Sequence, residues 1–112
     1  MKKKDRYPPF VALTWQLLNS KAYKEVTFAA GKVLPYFLGQ VKLGYRDPER
    51  YKTQFRFSYT EAAGYGFSRE TFRRSLKDLQ GKGFIQRVSP GGLRGNGYGY
   101  SLYVLSRQWE TL

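Results

Sequence analysis

Phe57-Ser58-Tyr59-Thr60-Glu61-Ala62-Ala63-Gly64-Tyr65-Gly66-Phe67-Ser68-Arg69-Glu70-Thr71-Phe72 is the stretch on which the reading of this chain turns. Ser58 and Glu61 stand three apart, a spacing at which the hydroxyl and the carboxylate each satisfy the other's backbone amide at a helix start. Gly64 and Gly66 flank Tyr65 and keep that helix short. Ser68 then caps a second helix, expected from Arg69 to about Lys82, and Gly83 ends it. The stretch therefore predicts a short helix, a tight turn and a longer helix.

The longer helix has two unlike faces. With Phe72 at zero on a wheel of about 100° per residue, Leu76 and Leu79 fall beside it. Glu70, Arg74 and Lys77 fall opposite, Arg73 lies on the flank and Arg69 near the first turn. A water-facing helix usually mixes charge signs, whereas this face sets four cations against Glu70 alone.

Outward from this pair, the pattern turns to strands. Lys52-Thr53-Gln54-Phe55-Arg56-Phe57 alternates as a half-buried strand does. Phe84 to Val88 reads as a second strand and Tyr98 to Leu105 as its return, with Tyr98, Tyr100, Leu102 and Val104 on one side. Pro90-Gly91-Gly92-Leu93-Arg94-Gly95-Asn96-Gly97 joins them as a glycine-rich loop. That loop opens no helix, so it lacks the amide-lined N-terminus that cradles a nucleotide phosphate. Trp109 is placed to pack back as an anchor.

Toward the N-terminus, Phe10 to Asn19 reads as an amphipathic helix on Phe10, Leu13, Leu17 and Leu18, with Trp15 beside them. Thr27 caps another helix, whose apolar face is Val33, Leu34, Phe37, Leu38 and Val41. Pro35 predicts a kink or restart there, because proline lacks the backbone donor and clashes with the preceding turn. Gly44 to Tyr51 is a charged loop, and residues 1–9 form a basic, proline-ended arm. Residues 10–112 are expected to make one domain. Four helices and a small three-stranded antiparallel sheet place it in the α+β class.

Charge narrows the function. Twenty Lys and Arg against eight Asp and Glu leave a net charge of +12 over 112 residues. Such self-repulsion is relieved by a polyanion. Cysteine and histidine are absent, which removes thiolate metal sites, the commonest general base and the Ser-His and Cys-His pairs. The carboxylates are Asp5, Glu25, Asp47, Glu49, Glu61, Glu70, Asp78 and Glu110, and only Asp47 and Glu49 are close in sequence. The reading is therefore not an enzyme, with no metal and no cofactor. No apolar run is long enough for a membrane span, and Met1-Lys2-Lys3-Lys4 is followed by no apolar export segment. A cytoplasmic, nucleoid-associated location is expected.

Strand, short helix, tight turn, longer helix, strand, glycine-rich loop, strand is the element order of a winged helix-turn-helix, which sets its second helix in the major groove of double-stranded DNA. On that reading Arg69, Glu70, Arg73 and Arg74 face the bases. Arginines form bidentate contacts to guanine, and Glu70 either accepts from a cytosine amino group or orients Arg74. Ser58, Ser68, Thr71 and Lys77 suit phosphate oxygens. Arg94 and Asn96 sit on the loop, which is either a wing entering the minor groove or a hairpin without ligand. Lys2, Lys3, Lys4 and Arg6 form either a backbone-binding arm or a solubility tail.

Residues 51–105 resemble the winged-helix superfamily of bacterial, phage and plasmid regulators. The resemblance rests on the run quoted above, with Leu76, Leu79 and Gly83-Phe84-Ile85. Phe10-Val11-Ala12-Leu13 through Tyr23 is similar to helix-turn-helix proteins of mobile elements and phage replication modules. The resemblance implies duplex DNA binding, often as a homodimer on a two-fold site, in transcription or in replication and maintenance of a mobile element. Two other readings stand beside it: a winged helix used for protein contacts, and RNA or single-strand binding through Tyr98, Tyr100 and Tyr103. No small-molecule pocket is legible, so regulation is expected from a partner or from abundance.

Overall fold

The computed structural model describes residues 10–89 and 100–111. Among them are five α-helices and one three-stranded antiparallel sheet, an α+β fold. The helices are α1 (Trp15–Leu18), α2 (Lys21–Glu25), α3 (Phe28–Leu38), α4 (Tyr59–Gly64) and α5 (Arg69–Gly81). The strands are β1 (Phe55–Ser58), β2 (Ile85–Ser89) and β3 (Tyr100–Leu105). No helix among the described residues is long and apolar enough to cross a membrane.

Short side chains set the helix boundaries. Thr14, Ser20, Thr27, Ser58 and Ser68 each accept a hydrogen bond from the amide three residues on. Each cap satisfies one of the amides that a helix start leaves without an intrahelical partner. These caps correct the expected helix over Phe10–Asn19. Helix begins only at Trp15, because Thr14 caps there, and Ser20 caps an additional helix, α2, between the two that the sequence predicts. Phe10 and Trp15 are exposed rather than sharing a buried stripe with Leu17. Among the described residues the helix count is five rather than four.

Pro35 produces no restart. Helix α3 runs through it, and the Gly39 amide still donates to the Pro35 carbonyl at 3.0 Å. One missing amide is outweighed by Ala30, Val33, Leu34 and Phe37, all fully buried. Burying a side chain the size of Val, Leu or Phe contributes about 1.5–3 kcal/mol. The charged loop contains a 3-10 turn, Pro48–Tyr51, capped by Asp47, which accepts from the Glu49 amide at 2.9 Å.

The sheet order is β1-β3-β2, so β3 is central and pairs Phe55 with Tyr103 on one side and Ile85 with Leu105 on the other. The first strand starts later than expected, at Phe55, and the second at Ile85. In β3 the buried face is Ser101, Tyr103 and Leu105, while Leu102 and Val104 are half-exposed. Leu102 and Val104 share one side, as their spacing indicates, and the opposite side is the buried one. Both faces of β3 carry apolar side chains, so alternation alone does not say which one α3 covers.

Phe37 lies at the centre, with the rings of Phe55, Phe57, Phe72 and Tyr103 at centroid distances of 5.7, 4.8, 6.0 and 5.4 Å. Helix α3 packs on α5, and Asp78 of α5 accepts from the Thr27 amide at 2.8 Å while pairing with Lys82 at 3.0 Å. Gly83 ends α5 at φ +84°, and the following turn brings Phe84 onto Trp109, ring centroids 5.8 Å apart. Trp109 sits in a second 3-10 turn, Gln108–Thr111, and its amide donates to the Gly83 carbonyl at 3.1 Å. The expected anchor is in place.

Candidate nucleic-acid interface

Helix α5 owes its position to its apolar side. Phe72, Ser75, Leu76 and Leu79 are buried, and the Ser75 hydroxyl is satisfied by donating to the Thr71 carbonyl at 2.8 Å. With that side held against α3, α4 and β2, Arg69, Glu70, Arg73, Arg74 and Lys77 are all exposed. The two-faced wheel read from the sequence is the arrangement observed.

The exposed face is organised by its own ion pairs. Glu70 accepts from Arg73 twice, at 3.1 and 2.7 Å, and from Arg74 at 2.8 Å. These hydrogen bonds, with that of Arg73 the largest influence, hold the Glu70 carboxyl at about 2, and Glu70 in turn raises the Arg73 pKa. Of the two roles read for Glu70, the structure displays the orienting one, extended from Arg74 to Arg73 as well. Arg69 lies with its guanidinium carbon 4.6 Å from the centroid of the Tyr59 ring, so a side chain of α4 steers the first cation of α5.

The hydroxyls expected at phosphate already have work to do. Ser58 accepts from the Glu61 amide at 3.0 Å, and Glu61 accepts from the Ser58 amide at 3.0 Å, completing the capping box. Ser68 accepts from the Thr71 amide at 3.1 Å, which removes that amide from the donors open to an anion. Thr71 is half-buried. Lys77 is exposed one turn beyond Arg73 and Arg74. Lys2, Lys3, Lys4, Arg6, Arg94 and Asn96, with the loop 90–97, lie outside the described residues. Tyr103 faces the core, where burial raises its hydroxyl pKa. It therefore offers no platform for an unstacked base.

Two contributors escaped the sequence reading. Tyr59 has no role in the sequence reading, yet it packs edge-on against Phe72 at 5.4 Å and so links the core to Arg69. Lys32 of α3 extends over Phe67, 5.8 Å from its centroid, and brings a further cation to the turn before α5. Only the α3–α5 packing brings Lys32 there, and no local spacing records it. Comparison of the chain with protein-family models, curated proteins and solved structures gives no match.

Proposed function

We propose that this protein is a winged-helix DNA-binding protein that reads duplex DNA with α5 in the major groove. The observation that carries the reading is the outward face of α5. Four cations stand on it over a buried apolar face, with one carboxylate holding two of them in fixed directions. An α-helix fits the major groove of B-DNA, and arginine reads the O6 and N7 edge of guanine bidentately. The element order and the β1-β3-β2 sheet support the winged-helix assignment, and the +12 charge supports a polyanionic partner.

Arg69 and Arg73 are the base readers in this proposal, with Arg74 and Lys77 at bases or flanking phosphate. Glu70 sets the directions of Arg73 and Arg74 and discourages loose phosphate binding. Arg94, Asn96 and the arm lysines supply flanking contacts, and a homodimer would show as two half-sites about one helical turn apart.

The test is a salt-titrated binding assay with random duplex, random single strand and a selected duplex pool. Random duplex should bind more tightly than single strand, and affinity should fall steeply with salt. Arg69→Ala with Arg73→Ala should erase enrichment of the selected motif and reduce the salt slope by up to about 2. Glu70→Gln should tighten binding to random duplex and narrow the preference for the selected motif. Preference for single strands, or no change in any variant, rejects the proposal.

A further inference from the structure

Arg50 is the least compensated side chain in the described fold. It ends the turn before β1 with only 6% exposure, and its Nε has no hydrogen-bond partner. Its guanidinium lies over the face of Tyr51, 5.8 Å from guanidinium carbon to ring centroid. The carboxylates nearest in sequence are occupied: Asp47 caps the turn, and Glu49 pairs with Lys52 at 3.7 Å. Arginine stays charged at any pH a protein tolerates. A buried cation that no carboxylate of the described residues meets is a destabilising arrangement, and a bound anion would relieve it.

Arg50 also lines two adjoining grooves, of about 550 and 430 Å³. The larger runs between the segment before α1, the charged loop and the turn carrying Trp109. Its apolar wall includes Leu17, Leu38, Tyr45, Tyr51 and Trp109. Arg46 and Arg107 stand on the same wall. Arg107 is neutralised by Glu110, to which it donates twice at 3.0 Å. Arg46 lies over the Tyr45 ring at 5.5 Å. Among the described residues, no carboxylate pairs with Arg46 or Arg50, so the groove holds two unneutralised cations set in aromatic walls. No α5 residue lines it.

We propose that this groove binds a carboxylate carried on an apolar or aromatic body, with Arg50 as the buried carboxylate partner and Arg46 at the rim. The guanidinium fork matches a carboxylate bidentately, and the volume falls in the range of small-ligand pockets. The proposal is independent of the DNA-binding reading, since the two sites share no residue.

The test uses thermal unfolding of the full chain at constant ionic strength. The probes are benzoate, benzyl alcohol, inorganic phosphate and the dipeptide acetyl-Asp-Phe-amide. Benzoate or the dipeptide should raise Tm by about 5 °C at ten times its Kd, while benzyl alcohol and phosphate leave it unchanged. A larger shift with benzoate assigns the carboxylate to a free small molecule, and a larger shift with the dipeptide assigns it to a protein segment. Arg50→Met should unfold at a higher temperature than the parent chain and lose the response. Trp109 fluorescence in a Trp15→Phe background gives a second reading that does not need the Arg50 variant to fold, and Arg46→Ala should weaken binding there. Absence of any shift with both carboxylates, an equal shift with phosphate, or an undiminished response in Arg50→Met overturns the proposal.

Discussion

Two glycines with the same backbone sign but different surroundings allow one contact to be weighed by subtraction. Gly66 has φ +98° and Gly83 φ +84°, so alanine is strained at both, by about 1–2 kcal/mol. A Cβ added at Gly66 meets no atom within 4 Å, and Gly66→Ala should cost that conformational term alone. A Cβ at Gly83 would stand 2.7 Å from the Trp109 amide nitrogen and 2.8 Å from both the carbonyl carbon and Cβ of Gln108. Two of those atoms are backbone and cannot swing aside, which adds an overpacking cost of about 1–3 kcal/mol. Gly83→Ala should therefore lose about 2–5 kcal/mol. With a urea m value of about 1.5 kcal/mol/M, the midpoint should fall by about 1 M for Gly66→Ala and about 2 M or more for Gly83→Ala. Circular dichroism follows the helices, and fluorescence follows Trp109 docking. Equal shifts in the two variants would refute the close approach of the 108–111 turn to Gly83.

Phe37→Ala should cost about 3–5 kcal/mol, because the fully buried ring touches four others and its cavity cannot collapse readily; chemical denaturation measures it. Ser58→Ala removes the N-cap half of the capping box and should cost about 1 kcal/mol, read as faster amide exchange at the first turn of α4. Glu70 should titrate near pH 2 by side-chain NMR, and Arg73→Ala should move it toward 4.5. A carboxyl with a depressed folded pKa contributes stability above its unfolded value, so the Glu70 contribution is complete above about pH 4.5 and is lost as pH falls through about 2.

The 58–83 stretch was legible because its determinants are local. A capping Ser with its Glu, a second capping Ser and a terminal Gly act within a few residues of themselves, and the structure puts α4, α5 and Gly83 where they indicate. The wheel of α5 was legible for the same reason. Phe10–Asn19 misled because apolar spacing carried the reading there, while Thr14 and Ser20 decided the outcome by capping. At Pro35 the restart does not occur, because a local breaker was overruled by burial of Val33, Leu34 and Phe37. Alternation in β3 could not choose a face, since Leu102 and Val104 are as apolar as Tyr103 and Leu105. At the candidate interface, the clamp of Glu70 on Arg73 and Arg74 follows from i,i+3 and i,i+4 spacing. Lys32 over Phe67 and the unneutralised Arg50 depend on tertiary packing that no short window contains.

The strand order has a consequence for how the chain is made. The central strand of the sheet is the last of the three to be synthesised, and among the described residues both β1 and β2 pair only with it. While residues 100–105 are still absent, α3 and α5 can already pack, but Phe55, Phe57 and Ile85 belong to strands with open edges. Long-range strand pairing is the slow part of folding, and unpaired edges are where chains associate wrongly. The period of greatest aggregation hazard thus runs from the appearance of Phe55 to the insertion of Tyr103, and closure of both ladders around one strand ends it in a single event.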